Sequence, residues 1–183
     1  GPLVVSENMK ILGLENTFLA GYFAPGSPIL MFFDTPANQR TDVNTDPDIY
    51  SQTTPSDIGA LLDDIYQCAE AGGGALAAAF PGQVSQAACR QMIEYLKEDK
   101  IGVLIQAGVP EGTAVAHKHG WVTDPYGVIH DVSDAGIVYS PGGDYVVSIF
   151  LWDDREMVWE PTAALFAQLG RAVENIKAVL ANN

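Results

Sequence analysis

Between Thr113 and Trp152 the chain carries three apolar stretches, Thr113 to Trp121, Ala135 to Ser140 and Tyr145 to Trp152. The last two are joined by Pro141-Gly142-Gly143-Asp144. Those four residues combine the fixed φ of proline with the conformational freedom of glycine, which is what a tight reversal needs. Apolar runs of strand length on both sides of such a turn predict a hairpin, and the run before them predicts a third antiparallel strand. A sheet of this kind has to bury a face, so helices elsewhere in the chain acquire a defined place to pack.

The remaining sequence supplies those helices. Residues 3–14 read as the tail of a helix that Gly13 ends. Thr54-Pro55-Ser56-Asp57 is a helix start: the threonine hydroxyl caps, proline suits the first turn, and Asp57 complements the positive helix end. Ile58, Leu61, Leu62 and Ile65 follow at helical spacing until Gly72-Gly73-Gly74. A second helix opens near Ser85, with Ala88, Cys89, Met92, Ile93 and Leu96 on one face and the solvated run Lys97-Glu98-Asp99-Lys100 at its end. After Pro161 a closing helix carries the stripe Leu165, Leu169, Val173, Ile176 and Leu180. Residues 24–55, dense in Pro, Asn, Asp and Thr, form one long irregular loop. The expectation is an α+β fold, an antiparallel sheet flanked by helices, with residues 1–183 as a single domain.

Charge narrows the partners. Nine Lys plus Arg against 23 Asp plus Glu give a formal charge of -14. Such a surface repels phosphate backbones and anionic lipid, which argues against nucleic acid and membrane surfaces as partners. No apolar run has the length of a bilayer span. Gly1-Pro2 has the form of a purification-tag remnant, so the absence of an export signal carries no weight. Cys68 and Cys89 lack the spacing of a zinc site. Either they are bridged, as an oxidising compartment would favour, or they are two buried thiols.

The chemistry concentrates in Val115-Ala116-His117-Lys118-His119-Gly120-Trp121. A lysine amid apolar strand residues needs a partner or solvent, because an unpaired buried ammonium is costly. The glycine two positions later leaves room for close approach to the strand. This segment resembles the Lys-Thr-Gly element of the serine β-lactamase and penicillin-binding protein superfamily. The resemblance covers nearly the whole chain. Leu12-Gly13-Leu14 with Thr17 resembles the helix end that leads into the family's Ω-shaped loop, and Thr53-Thr54-Pro55 with Asp57 the helix start that follows it. Ile101 to Pro110 with Gly112, Asp134 to Val138, and Tyr145 to Leu151 resemble the approach to the lysine strand and the two strands after it. The resemblance implies a β-lactamase/transpeptidase-like fold in an exported protein of the cell envelope or extracellular space. It also implies a β-lactam, cell-wall peptide or ester substrate and an acyl-enzyme route without a cofactor. In that route Lys118 would be the catalytic, electrostatic residue, and His119 and Gly120 would bind substrate.

Departures from the family pattern are equally specific. No serine is followed three residues later by lysine, so the family's nucleophile motif is absent. Ser6-Glu7-Asn8 imitates the Ser-x-Asn element but lies only a few residues before Gly13, and Ser6 reads as an ordinary helix residue. The expectation is the C-terminal portion of a longer serine hydrolase, inactive as given, which self-associates or pairs with the missing N-terminal part. The alternative is a non-catalytic β-lactamase-fold binding or scaffold domain. Residues 21–52 contain no glutamate, where class A enzymes carry Glu-x-x-x-Asn. Asn38 is the candidate for that asparagine and Asp34 a poor substitute carboxylate. His119 stands at the family's hydroxyl position and, when protonated, would hold a carboxylate by charge.

Two patterns suggest metals and are read otherwise. His117 and His119 share a strand face and His130 falls on a connecting loop, but no fourth ligand accompanies them, and no metal is expected. Asp42-x-Asn44-x-Asp46-x-Asp48 alternates oxygen ligands without the central Gly and closing Glu of a calcium loop. A solvated turn-rich segment accounts for it.

Overall fold

The computed structural model describes residues 1–24, 26–42, 49–124 and 126–181. Helix α1 (Pro2–Ile11) leads into two short strands, β1 (Phe18–Leu19) and β2 (Ser51–Gln52). Helices α2 (Pro55–Ala71), α3 (Gly74–Ala79) and α4 (Gln86–Lys97) follow, then a 3₁₀ turn (Ile105–Gly108). Strands β3 (Ala114–Thr123), β4 (Ile129–Tyr139) and β5 (Tyr145–Trp152) precede the closing helix α5 (Trp159–Ala181).

The three long strands form an antiparallel meander in the order β3-β4-β5. Strand alternation then divides the core in two. Ala116, Ala135 and Ile137 pack with Leu62, Ile65, Ala69 and Ile93 of α2 and α4. On the other face Val115, Val132 and Val138 pack with Leu104, Ile105, Ala163 and Phe166. Phe166 is fully buried; removing such a side chain from water is worth on the order of 1.5–3 kcal/mol. Because Lys118 is opposite Ala135, it belongs to the α2/α4 side, whereas His117 and His119 belong to the α5 side.

Local chemistry accounts for the helix ends. Thr54 Oγ1 accepts the Asp57 N–H at 3.2 Å, and Gly72 ends α2 at φ 71°, a left-handed conformation that glycine adopts without strain. The buried Asp57 carboxylate also accepts the Asn16 N–H at 2.8 Å and the Thr17 hydroxyl at 2.9 Å. Gln52 Nε2 donates to the Asn16 carbonyl and to Thr35 Oγ1, both at 2.8 Å. These bonds, the β1–β2 pairing and the Phe18–Phe33 stack at 4.7 Å close the root of the long loop. Ser6 lies in α1, where its hydroxyl donates to the Leu19 carbonyl and accepts the Leu19 N–H. That role is structural.

Cys68 and Cys89 are bridged, with Cα atoms 5.9 Å apart, which decides between the two readings of the cysteines. The bridge ties α2 to α4. Several sequence expectations need correction. The first helix ends as expected at Gly13, which follows the cap residue Leu12 at φ 78°, but a short helix α3 that opens at Gly74 stands before α4. Strand β4 begins at Ile129, six residues before Ala135, so His130 is a strand residue and not part of a connecting loop. The half-buried end of the sheet tolerates the polar residues His130, Asp131 and Ser133, which hid the strand from an apolar pattern. Helix α5 starts at Trp159, with Pro161 inside its first turn. Its stripe of large residues is not its packing face: Leu165, Ile176 and Leu180 are exposed, and Thr162, Ala163, Phe166 and Ala167 meet the core. Leu169 and Val173 of the stripe are half-buried at its margin, and beside Phe166 the helix comes close enough that a Cβ on Gly170 would lie 3.0 Å from the Ile105 carbonyl oxygen. Residues 43–48, which hold most of the acidic Asp42–Asp48 pattern, lie outside the described residues.

Candidate functional site

An open groove of about 420 Å³ runs between the end of α4, with the Glu98–Ile101 turn, and the His117–His119 stretch of β3. β3 is an edge strand, so this wall of the groove is a sheet margin and not a sheet interior. Lys118 projects from it with two-thirds of its side chain exposed, whereas Asp99 is almost fully covered.

Asp99 organises the groove. Its Oδ2 lies 3.2 Å from Lys118 Nζ and 2.8 Å from His119 Nδ1, and its Oδ1 accepts the Ile101 N–H at 2.9 Å. The two side chains leave β3 from opposite faces and meet at one carboxylate oxygen, so Asp99 straddles the strand margin. Lys118 makes a hydrogen bond; His119 Nδ1 is at ion-pair distance without hydrogen-bond alignment. Burial pushes the Asp99 carboxyl up, but the Ile101 N–H, the Lys118 hydrogen bond and the His119 and Lys118 charges outweigh it and hold Asp99 below its ordinary value. His119 stacks on Trp121 at 5.2 Å, and Trp121 meets Trp159 edge-on at 5.0 Å, which locks the imidazole orientation.

A second histidine–aspartate pair lies just inside. His117 Nδ1 is 2.9 Å from Asp134 Oδ1, and Asp134 Oδ2 accepts the Ile105 N–H at 3.1 Å. Both side chains are essentially inaccessible, at 1% and 0% exposure, and His117 Nε2 has no hydrogen-bond partner among the described residues. Gly136 makes room for this pair: a Cβ there would lie 2.6 Å from His117 Cβ.

The sequence-derived residues distribute as follows. Lys118 and His119 come together on Asp99. Gly120 follows on the same strand, and a Cβ there would lie 3.2 Å from Ser133 Oγ of the neighbouring strand. Its missing side chain thus faces β4. His130 is elsewhere: Nδ1 is 3.1 Å from the Asp153 carbonyl oxygen and Nε2 3.8 Å from Asp124. The three histidines do not converge, and among the described residues no group of three His, Cys, Asp or Glu side chains is placed to hold a metal ion. Asn38 donates to the Phe33 carbonyl and accepts the Thr35 N–H, and Asp34 accepts from Gln39, so both serve the loop's own turn. An apolar hollow of similar size between α1, α2, α3 and α4, lined by Met9, Leu61, Phe80 and Met92, contains no titratable side chain.

Sequence reasoning missed Asp99 and Asp134 as site residues. Asp99 read as one charge in a solvated helix end, and no local pattern marks it. Asp134 lies directly across from His119 in the strand register, and only a correct register would have drawn it toward the histidines.

Comparison with known proteins is consistent over this whole framework. Residues 4–176 match the model of the beta-lactamase enzyme family. A class A β-lactamase from Bacteroides cellulosilyticus DSM 14838 superposes with a TM-score of 0.64 at 20% identity, covering 97% of this chain and 55% of its own. An ancestral class A β-lactamase gives 0.63 at 22% identity, with 96% and 55% covered. A PBP-A variant solved as an acyl-enzyme complex with penicillin G gives 0.62 at 21% identity, with 96% and 51% covered. The chain thus spans about half the length of the solved structures it matches. Among curated proteins none matches the chain.

Proposed function

Because the chain belongs to the beta-lactamase enzyme family, we propose that it forms the strand-bearing wall of a serine hydrolase active site. The whole protein would act through an acyl-enzyme on a β-lactam, a cell-wall peptide or an ester. The observation that carries this reading is Lys118: an exposed ammonium on an edge strand, held at a groove by a covered carboxylate. A cation so placed lowers the energy of negative charge developing on an attacked carbonyl or on a bound carboxylate. His119 would contact the substrate carboxylate, and Gly120 would leave the strand margin accessible.

The nucleophile has to come from outside these residues, since no serine here has a lysine three positions on. Two features support pairing with a further segment that carries it. β5 ends the sheet among the described residues, and α5 exposes Leu165, Ile176, Val179 and Leu180. An apolar face of that kind favours burial against more protein, the rest of the fold or a second copy. The Cys68–Cys89 bridge fits an oxidising, exported setting, and no helix among the described residues is long and apolar enough to cross a membrane.

A second reading, a binding or scaffold domain without catalysis, is favoured by the missing glutamate in residues 21–52 and by His119 at the hydroxyl position. One experiment separates the two. A longer form of the protein that includes the residues upstream of Leu3 is incubated with a fluorescent penicillin, and the adduct is read by intact mass. The enzyme reading expects a covalent adduct in that form, none in residues 1–183 alone, and a loss of acylation rate of roughly 100-fold or more in Lys118→Ala. An intact longer form that never acylates, with penicillin or an activated ester, leaves the scaffold reading standing.

A further inference from the structure

Lys118 and His119 are offered above as a carboxylate site, yet the groove already contains a carboxylate. Asp99 Oδ2 takes both, at 3.2 Å and 2.8 Å. The charge count is therefore decisive. With His119 neutral, Lys118 and Asp99 cancel, and the cluster has no positive charge to spare. With His119 protonated, the cluster carries one unit of positive charge. His119 Nδ1 is itself covered and lies 2.8 Å from Asp99 Oδ2, so the protonated ring pairs with Asp99, and the charge left over at the groove is that of the exposed Lys118. Histidine is the side chain whose charge ordinarily changes between pH 5 and 8.

The other groups facing His119 do not supply that variable charge. Glu98 and Lys100 flank Asp99 on the turn after α4 and offset one another. His117, on the same strand, is sealed against Asp134, whose second oxygen is taken by the Ile105 N–H. From α5, Trp159 reaches it by way of Trp121, a neutral contact.

We propose, resting on the reading of this groove as a carboxylate site, that His119 is a specificity-determining residue. It gates anion recognition by its protonation, with Asp99 as the internal counter-charge. The groove accepts a ligand bearing a single carboxylate when His119 is charged and loses that preference when His119 is neutral.

The test uses residues 1–183, with the imidazole resonances of His117, His119 and His130 followed separately by NMR. N-acetyl-D-alanine is titrated at pH 5.5 and pH 8 at constant ionic strength, with its neutral amide as the comparison ligand. The expected result is at least tenfold tighter carboxylate binding at pH 5.5, with the perturbation centred on His119. His119→Thr should abolish the pH ratio. Asp99→Asn should raise affinity at pH 8 toward the acid value, because Lys118 is no longer neutralised; this second variant keeps the test valid if the first misfolds. Discrimination against the amide with no pH ratio overturns the gate and leaves the carboxylate reading intact. Equal binding of acid and amide, or no binding at pH 5.5, overturns both. A pH ratio that survives in His119→Thr also overturns the gate.

Discussion

His117 and His119 stand two residues apart on one face of β3, each beside an aspartate at hydrogen-bond distance. They have opposite surroundings. His117 and Asp134 are sealed between the sheet and the α5 side of the core, where a polar pair must satisfy itself or cost several kcal/mol. His119 and Asp99 lie where the strand reaches the groove, and there Asp99 is shared with an exposed lysine. One pair is closed off inside the fold; the other, though largely covered, shares its carboxylate with the exposed Lys118 at the groove. The lesson is that residue type and spacing are the same for both; the position along the strand relative to the covering elements assigns the role.

Breaking the inner pair should have the largest effect. Asp134→Ala strips acceptors from His117 Nδ1 and the Ile105 N–H in a dry site. It should cost roughly 3–5 kcal/mol in a urea unfolding curve. Asp99→Ala, with one partner mostly exposed, should cost about 1 kcal/mol. Equal losses for the two would remove the distinction between a sealed and an open pair.

The disulfide offers a way to disturb the outer pair from a distance. Replacing Cys68 and Cys89 with alanine releases a loop of sequence separation 21, at about 3 kcal/mol in the chain-entropy account. Since α4 leads directly into Asp99, the His119 resonances should move in that variant before those of His117 do. A uniform shift of both histidines would mean that the clamp supports the sheet as a whole.

The smallest effect sharpens the contrast through pH. Asp99 is held below the ordinary aspartate value, so its contribution to stability is fully present above that value and is lost as pH falls through its lowered pKa. Lys118→Ala removes one of the interactions that lower it. The Asp99 carboxyl should then titrate at higher pH by carbon-detected NMR, while stability changes by less than about 1 kcal/mol. An unchanged Asp99 titration would show that the Ile101 N–H and His119 hold the carboxylate without Lys118.

Legibility followed the range of the interactions. The Thr54 cap, the Gly72 stop and the Pro141–Asp144 turn were readable because each depends on residues within one turn of chain. Lys118 was readable because a lysine amid apolar strand residues demands a partner. The early start of β4 was not, since His130, Asp131 and Ser133 break the apolar pattern; Asp131 and Ser133 are paired with both neighbouring strands, and His130 is the extra residue where the register shifts between Val122 and Thr123. The orientation of α5 was not either: two faces of that helix are apolar, and the choice between them depends on which fits against the sheet and the 3₁₀ turn.

By itself the sequence determined the main helices, the three long strands with their antiparallel order and the lysine strand, all properties of local periodicity and short motifs, and the ordered motifs carried the resemblance to the family. The tertiary structure alone decided that Cys68 meets Cys89, that Asp134 seals His117, and that Asp99 brings Lys118 and His119 to a single oxygen. Those pairings join residues 17 to 21 positions apart through register and helix docking. A carboxylate's partner is chosen by where folding leaves its oxygens, and that is a property of the packed chain.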